Sequence, residues 1–314
     1  MKILVTGGAG FIGSHVADAL ADSGHEVHVL DNLSTGAREN VPSQAHLHVL
    51  DIRSQEAAAL IRAEQFDGLI HHAAQLDVRA SVADPRYDAD INIGGFLNLM
   101  EAGRQSGLQK VVFASTGGAI YGEPTYIPQD ELHEQRPISP YGITKFTAEK
   151  YLYYYSYQFN IDAVCLRYAN VYGPRQNAHG DAGVVAIFAR KMMDGVPPVI
   201  NGTGQQTRDY VFVSDVVQAN LRALTYSGSG VFNIGTGTET TVGELYDTLN
   251  RITDAKLERT YGPAKLGEQQ RSVLSYERAR KVLGWTPQVS LEDGLSQTVA
   301  WFQKRPSSQV PASR

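Results

Sequence analysis

A glycine-rich turn near the start of the chain constrains the fold more than any other sequence feature. The turn, Thr6-Gly-Gly-Ala-Gly-Phe-Ile-Gly13, joins the apolar run Lys2–Thr6 to Phe11–Ser23, where apolar residues recur with helical spacing. Glycines at positions 7, 10 and 13 permit a tight turn and a close approach of the backbone to a pyrophosphate. The N-terminus of the following helix would present free N–H groups and a positive dipole end to the phosphates. The pattern therefore predicts a dinucleotide-binding strand–turn–helix unit.

An acidic residue ends the second predicted strand, which covers Glu26–Leu30. Asp31 lies 24 residues after Gly7, where the ribose of a dinucleotide is expected. Its carboxylate can accept hydrogen bonds from ribose hydroxyls and repels a 2′-phosphate, so NAD is favoured over NADP. Arg38, nearby in the sequence, argues for NADP. A glycine turn with a helix-capping aspartate is the alternative, but strand, turn, helix and acid together favour the dinucleotide site.

Strand-like and helix-like segments alternate through the first half of the chain. Leu47–Leu50, Gly68–His72 and Lys110–Ser115 are the next predicted strands, and Gln55–Glu64 and roughly Ile91–Gln105 are predicted helices. Short apolar strands that alternate with helices, with few hairpin signals, favour a parallel sheet covered on both faces. The predicted fold class is therefore α/β, a Rossmann-type doubly wound parallel sheet.

The pattern changes after about residue 170, where glycine and proline become more frequent. We predict an NAD-binding Rossmann domain over residues 1–170 and a smaller C-terminal lobe, mainly substrate-binding, over 171–304. Parts of 205–240 are expected to return to the main sheet. The polar, Pro- and Ser-rich residues 305–314 are predicted to form a disordered tail.

The bulk composition argues against several kinds of partner. The net charge is −5 and the basic residues are scattered, so no general attraction to nucleic acid or anionic lipid is expected. No apolar stretch approaches the ~20 residues of a membrane span, and a strand at the very start leaves no room for a signal peptide. The single cysteine, Cys165, rules out an internal disulfide and fits a reducing compartment. We therefore expect a cytoplasmic protein.

Two further strand ends carry candidate cofactor contacts. Asp51-Ile52 suits an adenine ring, with the carboxylate toward its amino group and the isoleucine against its face. His71-His72-Ala-Ala-Gln75 has small residues where a cofactor must pass. A metal site is conceivable at these histidines or at His46 and His48. However, no acid or cysteine spacing completes a ligand set, so no metal is expected.

A tyrosine and a lysine are spaced for acid–base chemistry. Tyr141 and Lys145 lie at the start of a predicted helix, where positions i and i+4 share one face. A phenol has a pKa of about 10, but a neighbouring ammonium and a cationic nicotinamide would lower that pKa and make Tyr141 a usable base. The same spacing at Tyr261 contains Gly262-Pro263, which forbids a helix. Tyr141 and Lys145 are therefore the predicted catalytic pair.

Together these motifs resemble the extended short-chain dehydrogenase/reductases, and within them the UDP-glucose (UDP-galactose) 4-epimerases, over nearly the whole chain. The resemblance also rests on Asp31–Gly36, Arg167–Pro174, Arg208–Val211, Asn233–Gly237 and Leu283-Gly-Trp285. It implies a tightly held NAD, Tyr141 as catalytic base, Lys145 on the nicotinamide ribose and a UDP-sugar substrate. In this family the helix after Tyr141 and the one near Ile91–Gln105 build a dimer interface, so a homodimer is implied as well.

The resemblance and the strand ends together assign ligand contacts. The predicted cofactor contacts are Gly7, Gly10, Phe11, Ile12, Gly13, Asp31, Asn32, Ser34, Thr35, Gly36, Asp51, Ile52, His72, Ala73, Ala74, Gln75, Asn92, Tyr141, Lys145 and Tyr168. The predicted contacts to the sugar nucleotide are Thr116, Gly117, Tyr141, Asn170, Val184, Val185, Arg208, Glu268 and Arg271.

The sequence departs from the family's pattern at the catalytic hydroxyl. Four residues before the Tyr of Ile-Tyr-Gly, where such epimerases often carry Ser or Thr, this chain has Gly117. Thr116 is the nearest hydroxyl and the predicted one, with Ser115 behind it. Alternatively, both residues only cap the strand end. A second departure is Lys265-Leu-Gly-Glu268, where the family often reads Arg-Pro-Gly-Asp, and Arg271 is the other cation available there.

The type of reaction is predicted from the absence of a second acid/base pair. Relatives that dehydrate or decarboxylate nucleotide sugars typically need a further acid/base pair just after the strand Lys110–Ser115. At those positions this chain has Gly118 and Ala119. We therefore predict NAD-dependent 4-epimerisation of a UDP-hexose through a transient 4-keto sugar. A uronate epimerase, a decarboxylase, a dehydratase, a net reductase and a non-catalytic NAD-binding module are the alternatives. Ser272 occupies a position that is a bulky Tyr in some epimerases, so we hypothesise that N-acetyl sugars also fit.

Overall fold

The computed structural model describes residues 1–178, 183–264 and 269–305. Its strands are β1 (Lys2–Thr6), β2 (Glu26–Asp31), β3 (His46–Val49), β4 (Gly68–His71), β5 (Lys110–Thr116), β6 (Asp162–Tyr168), β7 (Asn170–Tyr172), β8 (Val199–Asn201), β9 (Thr207–Arg208), β10 (Tyr210–Phe212), β11 (Gly230–Ile234), β12 (Thr240–Thr241) and β13 (Thr260–Gly262). Its helices are α1 (Phe11–Asp22), α2 (Gln55–Glu64), α3 (Val78–Ala83), α4 (Pro85–Ala89), α5 (Phe96–Gln105), α6 (Gly117–Ile120), α7 (Pro140–Phe159), α8 (Val184–Met193), α9 (Val213–Thr225), α10 (Val242–Thr253), α11 (Glu277–Leu283) and α12 (Leu291–Gln303). A 3₁₀ turn covers Arg38–Asn40, and a π-helical segment, Asp90–Gly95, runs directly into α5.

Seven of the described strands form one parallel sheet in the order β11-β6-β5-β4-β1-β2-β3. The five strands predicted from the sequence correspond to β1–β5, so the Rossmann-type, doubly wound fold is confirmed. The chain leaves β1 toward β2 and β3, and later leaves β4 toward β5 and β6. The carboxyl ends of β1 and β4 therefore flank a crevice, which is where ligands bind in open α/β sheets.

Helices cover both faces of the sheet, which explains why its strands are almost continuously apolar. Alternate residues of β1 supply the two faces. Val5 belongs to the apolar cluster beneath α1 and α9, whereas Leu4 belongs to the cluster beneath α2, α5 and α7. Both side chains are essentially inaccessible to solvent. The sheet therefore has a packed core on each side, and the loops at its carboxyl edge are left to bind ligands.

The smaller C-terminal lobe has its own apolar cluster. α8, α10 and α12 enclose Phe188, Leu245 and Phe302, and short two-stranded sheets, β9 with β12 and β8 with β13, border them. The chain returns to the main sheet through α9 and β11 before α10 begins. Among the described helices, none combines the length and the apolarity that a membrane crossing requires. The predicted tail lies outside the described residues, apart from Arg305.

Candidate active site

The glycine-rich turn between β1 and α1 forms a cradle that fits phosphate groups. Gly7 has a φ of +69°, and a Cβ added there would lie 2.7 Å from the Ala73 amide nitrogen. A Cβ added at Gly13 would collide with the Gly7 carbonyl oxygen. Within the described residues, no side chain caps the N-terminus of α1 at Gly10. The first N–H groups of that helix, at Phe11 and beyond, are therefore available to an anion.

Asp31, the predicted ribose contact, lies beside this cradle. Its buried carboxylate accepts hydrogen bonds from the Ala9 amide at 3.0 Å and from the Leu33 amide at 2.8 Å. A Cβ added at Gly36 would lie 3.0 Å from Asp31 Oδ1, so the loop after β2 passes directly over the carboxylate. The Ala37 amide donates to the Ala9 carbonyl at 3.0 Å and ties this loop to the glycine turn. The same loop carries the predicted contacts Asn32, Ser34 and Thr35.

The predicted adenine contacts follow β3. Arg53 binds Asp51 through Nε at 2.9 Å and Nη2 at 2.8 Å, and these bonds hold the pKa of Asp51 at about 2. The side chain of Ile52 is buried, and a Cβ added at Gly95 would lie 2.6 Å from it. Asp51 is thus a fixed anion, and Ile52 is part of the apolar wall beside it. Contact of either residue with an adenine ring stays a prediction.

The two histidines after β4 have different surroundings. His71 is buried, with Nδ1 2.7 Å from Thr6 Oγ1, whereas His72 is half-buried at the crevice. His72 Nε2 lies 3.3 Å from the Tyr168 hydroxyl, and that hydroxyl accepts a hydrogen bond from Asn220 at 2.8 Å. Burial lowers the pKa of both histidines, so both rings are neutral at pH 7. The structure thereby brings two predicted cofactor contacts, His72 and Tyr168, together.

Tyr141 and Lys145 lie on one face of α7, as the spacing predicted. α7 begins with Pro140, and the Ser139 hydroxyl accepts a hydrogen bond from the Gly142 amide at 3.1 Å, which fixes the turn that carries Tyr141. Lys145 is buried, and its Nζ donates to the Ala114 carbonyl at 2.9 Å. Burial lowers the pKa of Lys145 to about 8. The ammonium is therefore anchored at the end of β5, one turn of helix beyond the phenol.

The electrostatics around Tyr141 differ from the expectation. Burial, with a smaller contribution from the Asp88 carboxylate, raises the pKa of the Tyr141 phenol above its ordinary value. The pKa of the phenol is therefore set by its removal from water and not by Lys145. Lys145 and a cationic nicotinamide were both expected to lower the pKa of Tyr141. Only the nicotinamide remains as a cause of such a lowering.

A buried carboxylate that the sequence did not single out lies behind this pair. Asp88, at the end of α4, accepts hydrogen bonds from the Thr144 hydroxyl at 2.7 Å, Gln75 Nε2 at 2.9 Å and Asn92 Nδ2 at 3.1 Å. Asn92 Oδ1 in turn accepts from the Gln75 amide at 2.9 Å. Asn92 lies in the π-helical segment, a feature that is frequent at functional sites. Asp88 therefore joins the loop after β4 to the first turns of α7.

The two candidate hydroxyls at the end of β5 face different ways. Ser115 is buried, and its hydroxyl donates to Glu149 Oε1 at 2.5 Å. Glu149 is also bound by Arg167, at 2.9 and 2.6 Å. Thr116 is half-buried, and its Oγ1 and Asn170 Oδ1 each lie 4.0 Å from a Cβ added at Gly118. Thr116 and Asn170 thus face one common space over Gly118, and Ser115 belongs to a buried ion-pair network.

Gly117, where the family often has a hydroxyl residue, has no room for a side chain. A Cβ added there would run into the side chain of Leu274. Leu274 is held in place because its amide donates to Asp209 Oδ2 at 3.2 Å. Asp209 also accepts from Thr236, and its carbonyl accepts from the Asn170 amide at 2.9 Å. In this packing, a hydroxyl side chain at position 117 would need the side chain of Leu274 to shift.

The predicted sugar-nucleotide contacts come from several segments of the C-terminal half. Thr207, next to Arg208 in β9, donates its hydroxyl to Glu239 at 2.6 Å, and Glu239 binds Arg271 Nε at 2.9 Å. Arg208 and Arg271 are therefore held by adjacent, linked segments. The remaining predicted contacts are Val184 and Val185, at the start of α8, and Glu268, which lies outside the described residues.

One buried acid in this region, Asp88, was missed by the sequence predictions, and Asp209 was part of the Arg208–Val211 motif but was given no role. Each accepts hydrogen bonds from segments that are distant in the chain, and such contacts leave no mark in the local sequence. The spacing of Asp88 four residues before Asn92 is the one signal that could have drawn attention to it, because such residues share a helix face.

Comparisons with known proteins agree with this geometry. Residues 3–235 match the NAD dependent epimerase/dehydratase family. The chain is 43% identical to the UDP-glucose 4-epimerase of Mycolicibacterium smegmatis over 311 residues, which cover 97% of this chain and 99% of that protein. It is 47% identical to the UDP-glucose 4-epimerase of Thermotoga maritima crystallised with UDP-glucose, with a TM-score of 0.95 and coverage of 97% and 99%. For the Thermus thermophilus enzyme in complex with NAD, the TM-score is 0.92, the identity 43% and the coverage 98% and 100%.

The likeness extends over nearly the whole of each chain, and the glycine cradle, Asp31 and the Tyr141/Lys145 face are all in place. The chain therefore belongs to the NAD dependent epimerase/dehydratase family, among the UDP-glucose 4-epimerases of the extended short-chain dehydrogenase/reductases.

Proposed function

We propose that this protein is an NAD-dependent epimerase that interconverts UDP-galactose and UDP-glucose at carbon 4 of the sugar. The observation that carries the proposal is that Thr116 and Asn170 face one space over Gly118, while Lys145, on the same face of α7 as Tyr141, donates to Ala114 in β5, the strand that ends in Thr116. Next to these groups, Gly118 and Ala119 offer no side chain that could transfer a proton. The site therefore holds the groups for oxidation at one carbon and lacks a second acid/base pair for elimination.

The described residues fit NAD. The cradle at Gly7 and Gly13 has no space for side chains, the N-terminus of α1 suits a pyrophosphate, and Asp31 suits ribose hydroxyls. We assign the nicotinamide ribose to Lys145, whose ammonium is anchored at the end of β5. When bound, NAD would take the hydride from carbon 4 and return it, and its positive charge would lower the pKa of Tyr141.

Proton transfer is the task of the protein's own side chains. Tyr141 takes the proton of the 4-hydroxyl as that carbon is oxidised and gives it back when the 4-keto sugar is reduced. Thr116 hydrogen-bonds the same oxygen and relays its proton. Asn170, beside Thr116, orients the sugar. Reduction on the opposite face of the 4-keto sugar inverts carbon 4, so oxidation and reduction cancel over the cycle.

The direct test is to incubate the purified protein with UDP-galactose, without added NAD, and to separate the products. UDP-glucose should form while the total amount of sugar nucleotide stays constant. Tyr141→Phe should abolish the conversion. Tyr261→Phe is the matched control, because Tyr261 is exposed on the strand β13 and shares no helix face with a lysine. Absence of turnover with added NAD, on UDP-N-acetylglucosamine and on UDP-glucuronate as well, would contradict the proposal.

The range of sugars is a second part of the proposal. Ser272 is buried beside Arg271, and its small side chain supports acceptance of the bulkier N-acetyl pair. Ser272→Tyr should then lower turnover of UDP-N-acetylglucosamine by at least tenfold and leave turnover of UDP-galactose intact. Equal turnover of both substrates by the variant would show that Ser272 does not set this specificity.

We also propose a homodimer and a cytoplasmic location. α5 and α7 lie side by side, joined by a hydrogen bond of 2.7 Å from the Tyr155 hydroxyl to Glu101. Their outer surface exposes aromatic rings of α7, and Thr147, Lys150, Tyr151 and Tyr154 line a shallow groove there. Exposed apolar patches of this kind mark interaction surfaces. The cytoplasmic location rests on the single, unpaired cysteine, a composition typical of reducing compartments.

A further inference from the structure

Three histidines and a glutamate lie together on one face of the sheet, at the amino ends of β2 and β3. Glu26 and His28 are alternate residues of β2 and therefore share a face. His28 is paired directly with His46 in the parallel ladder, and His48 follows on the same face of β3. The candidate active site lies at the opposite, carboxyl ends of these strands. The proposed epimerase chemistry therefore makes no use of this cluster.

The spacing of the ligand atoms suits a metal ion. His28 Nε2 lies 3.2 Å from Glu26 Oε1, and a ring nitrogen of His46 completes a set whose members all lie within 4.8 Å of one another. Ligand atoms around a tetrahedral zinc ion are about 3.3 Å apart when the metal–ligand bonds are about 2.0–2.1 Å. Glu26 and His46 are exposed, so small side-chain rotations can bring both onto an ion that His28 holds.

His28 is already oriented as a ligand. Its side chain is buried, its ring packs edge-on against Phe66 with centroids 5.1 Å apart, and its Nδ1 lies 2.9 Å from His48 Nε2. In the tautomer that carries its proton on Nδ1, His28 donates to His48 and turns the lone pair of Nε2 toward Glu26. Histidines that bind metals commonly donate their second ring N–H to such a neighbouring acceptor.

We propose that Glu26, His28 and His46 bind a divalent transition-metal ion of the zinc type, with water in the remaining position. Two imidazoles and one carboxylate suit such ions. Lys2, 3.5 Å from Glu26, also pairs with Glu64, so the ammonium keeps a partner when Glu26 turns to the metal. The ion joins the edge strand β3 to β2, and its binding adds to the stability of the folded state. The sequence alone did not pair His46 with an acid, because the acid comes from the neighbouring strand.

Zinc titration of the full chain, without a polyhistidine tag and after treatment with a chelator, tests this site. Calorimetry should show one Zn²⁺ bound per chain, and the Tm should rise with zinc. Glu26→Gln and His46→Gln should each weaken binding at least tenfold. Both side chains are exposed, so these variants should fold. His25→Gln is the matched control, because His25 precedes the cluster at the same edge of the sheet and lies outside the ligand set.

Cobalt gives a second, spectroscopic readout. Co²⁺ bound to the site should produce visible absorption that is lost in His46→Gln and kept in His25→Gln. His48→Leu should weaken zinc binding about 10- to 100-fold, as expected for a residue that orients a ligand. Two results would overturn the proposal: no zinc binding at micromolar concentration, or zinc binding that Glu26→Gln and His46→Gln both leave unchanged.

Discussion

Ser115 and Thr116 are consecutive residues of β5, so their side chains leave opposite faces of the strand. Only Thr116 shares the space over Gly118 with Asn170, and Ser115 is bound to Glu149. Thr116→Val removes the hydroxyl at almost constant volume. We expect kcat for UDP-galactose to fall about 10²-fold, the lower end of the usual contribution of a positioned proton-transfer group. Steady-state kinetics on the purified variant would measure this loss.

Ser115→Ala is the matched control for this prediction. It removes one hydrogen bond to Glu149, so the free energy of unfolding should drop by about 1 kcal/mol. Activity should stay close to that of the unsubstituted enzyme, because Arg167 still holds Glu149. Kinetics and urea unfolding on both variants separate the two effects. The reverse pattern, with activity lost at Ser115 and kept at Thr116, would assign the catalytic hydroxyl to Ser115.

Asp88 is placed to tune the proposed catalytic pair from behind, through its charge. Burial raises the pKa of Tyr141 and lowers that of Lys145, and the charge of Asp88 acts upward on both pKa values. Asp88→Asn removes that charge and keeps the shape of the side chain, so both pKa values should fall. The rising limb of the kcat–pH profile, which reports deprotonation of the catalytic base, should therefore move to lower pH. A purely structural role for Asp88 would lower kcat at every pH and leave the shape of the profile unchanged.

Asp90→Asn is the control for this shift. Asp90 lies two residues further on, but it is exposed and its partner is Arg53, at 2.7 Å. Its charge should be screened by water, so the pH profile should not move. A similar shift in both variants would mean that the profile responds to net charge and not to the buried carboxylate.

At the level of elements, the first turn of α7 fixes the position of Tyr141, the proposed catalytic base. Ser139 caps this turn, and Tyr141 is its second residue. Ser139→Ala should cost about 1 kcal/mol of stability, as the loss of an N-cap usually does. The freed turn should also displace Tyr141, and a displacement near 1 Å can lower kcat about 10²-fold. Urea unfolding and kinetics on the same preparation would test both parts.

Thr241→Ala provides the comparison, because Thr241 caps α10 in the C-terminal lobe through a capping box with Glu244. Its loss should lower stability by a similar amount, about 1 kcal/mol, and leave kcat unchanged. Equal effects of the two substitutions on kcat would show that general loss of stability, rather than the position of Tyr141, limits the rate.

Over the whole molecule, the features predicted from the sequence are those that depend on short-range pattern. The glycine cradle and Asp31 each belong to one short stretch of chain, and each of the strands β1–β5 is a short apolar run of its own. Segment 91–105 was predicted as one helix, and the structure has a π-helical stretch followed by α5, because backbone hydrogen-bond register leaves no mark in apolar spacing. The packing of Leu274 over Gly117 depends on segments distant in the chain, and no local motif reports it.

The exposed aromatic rings of α7 allow a test of the proposed dimer. Tyr153 and Tyr157 are 72% and 81% exposed and stack on each other along α7, although aromatic rings gain by leaving water. Replacing both with Glu should convert the dimer to a monomer of 34.3 kDa, measured by sedimentation, whereas Tyr261→Glu should leave the dimer intact. The monomer should keep epimerase activity, because every site residue named above belongs to one chain. An unsubstituted protein that sediments as a monomer would contradict the dimer, and a double variant that stays dimeric would place the interface elsewhere.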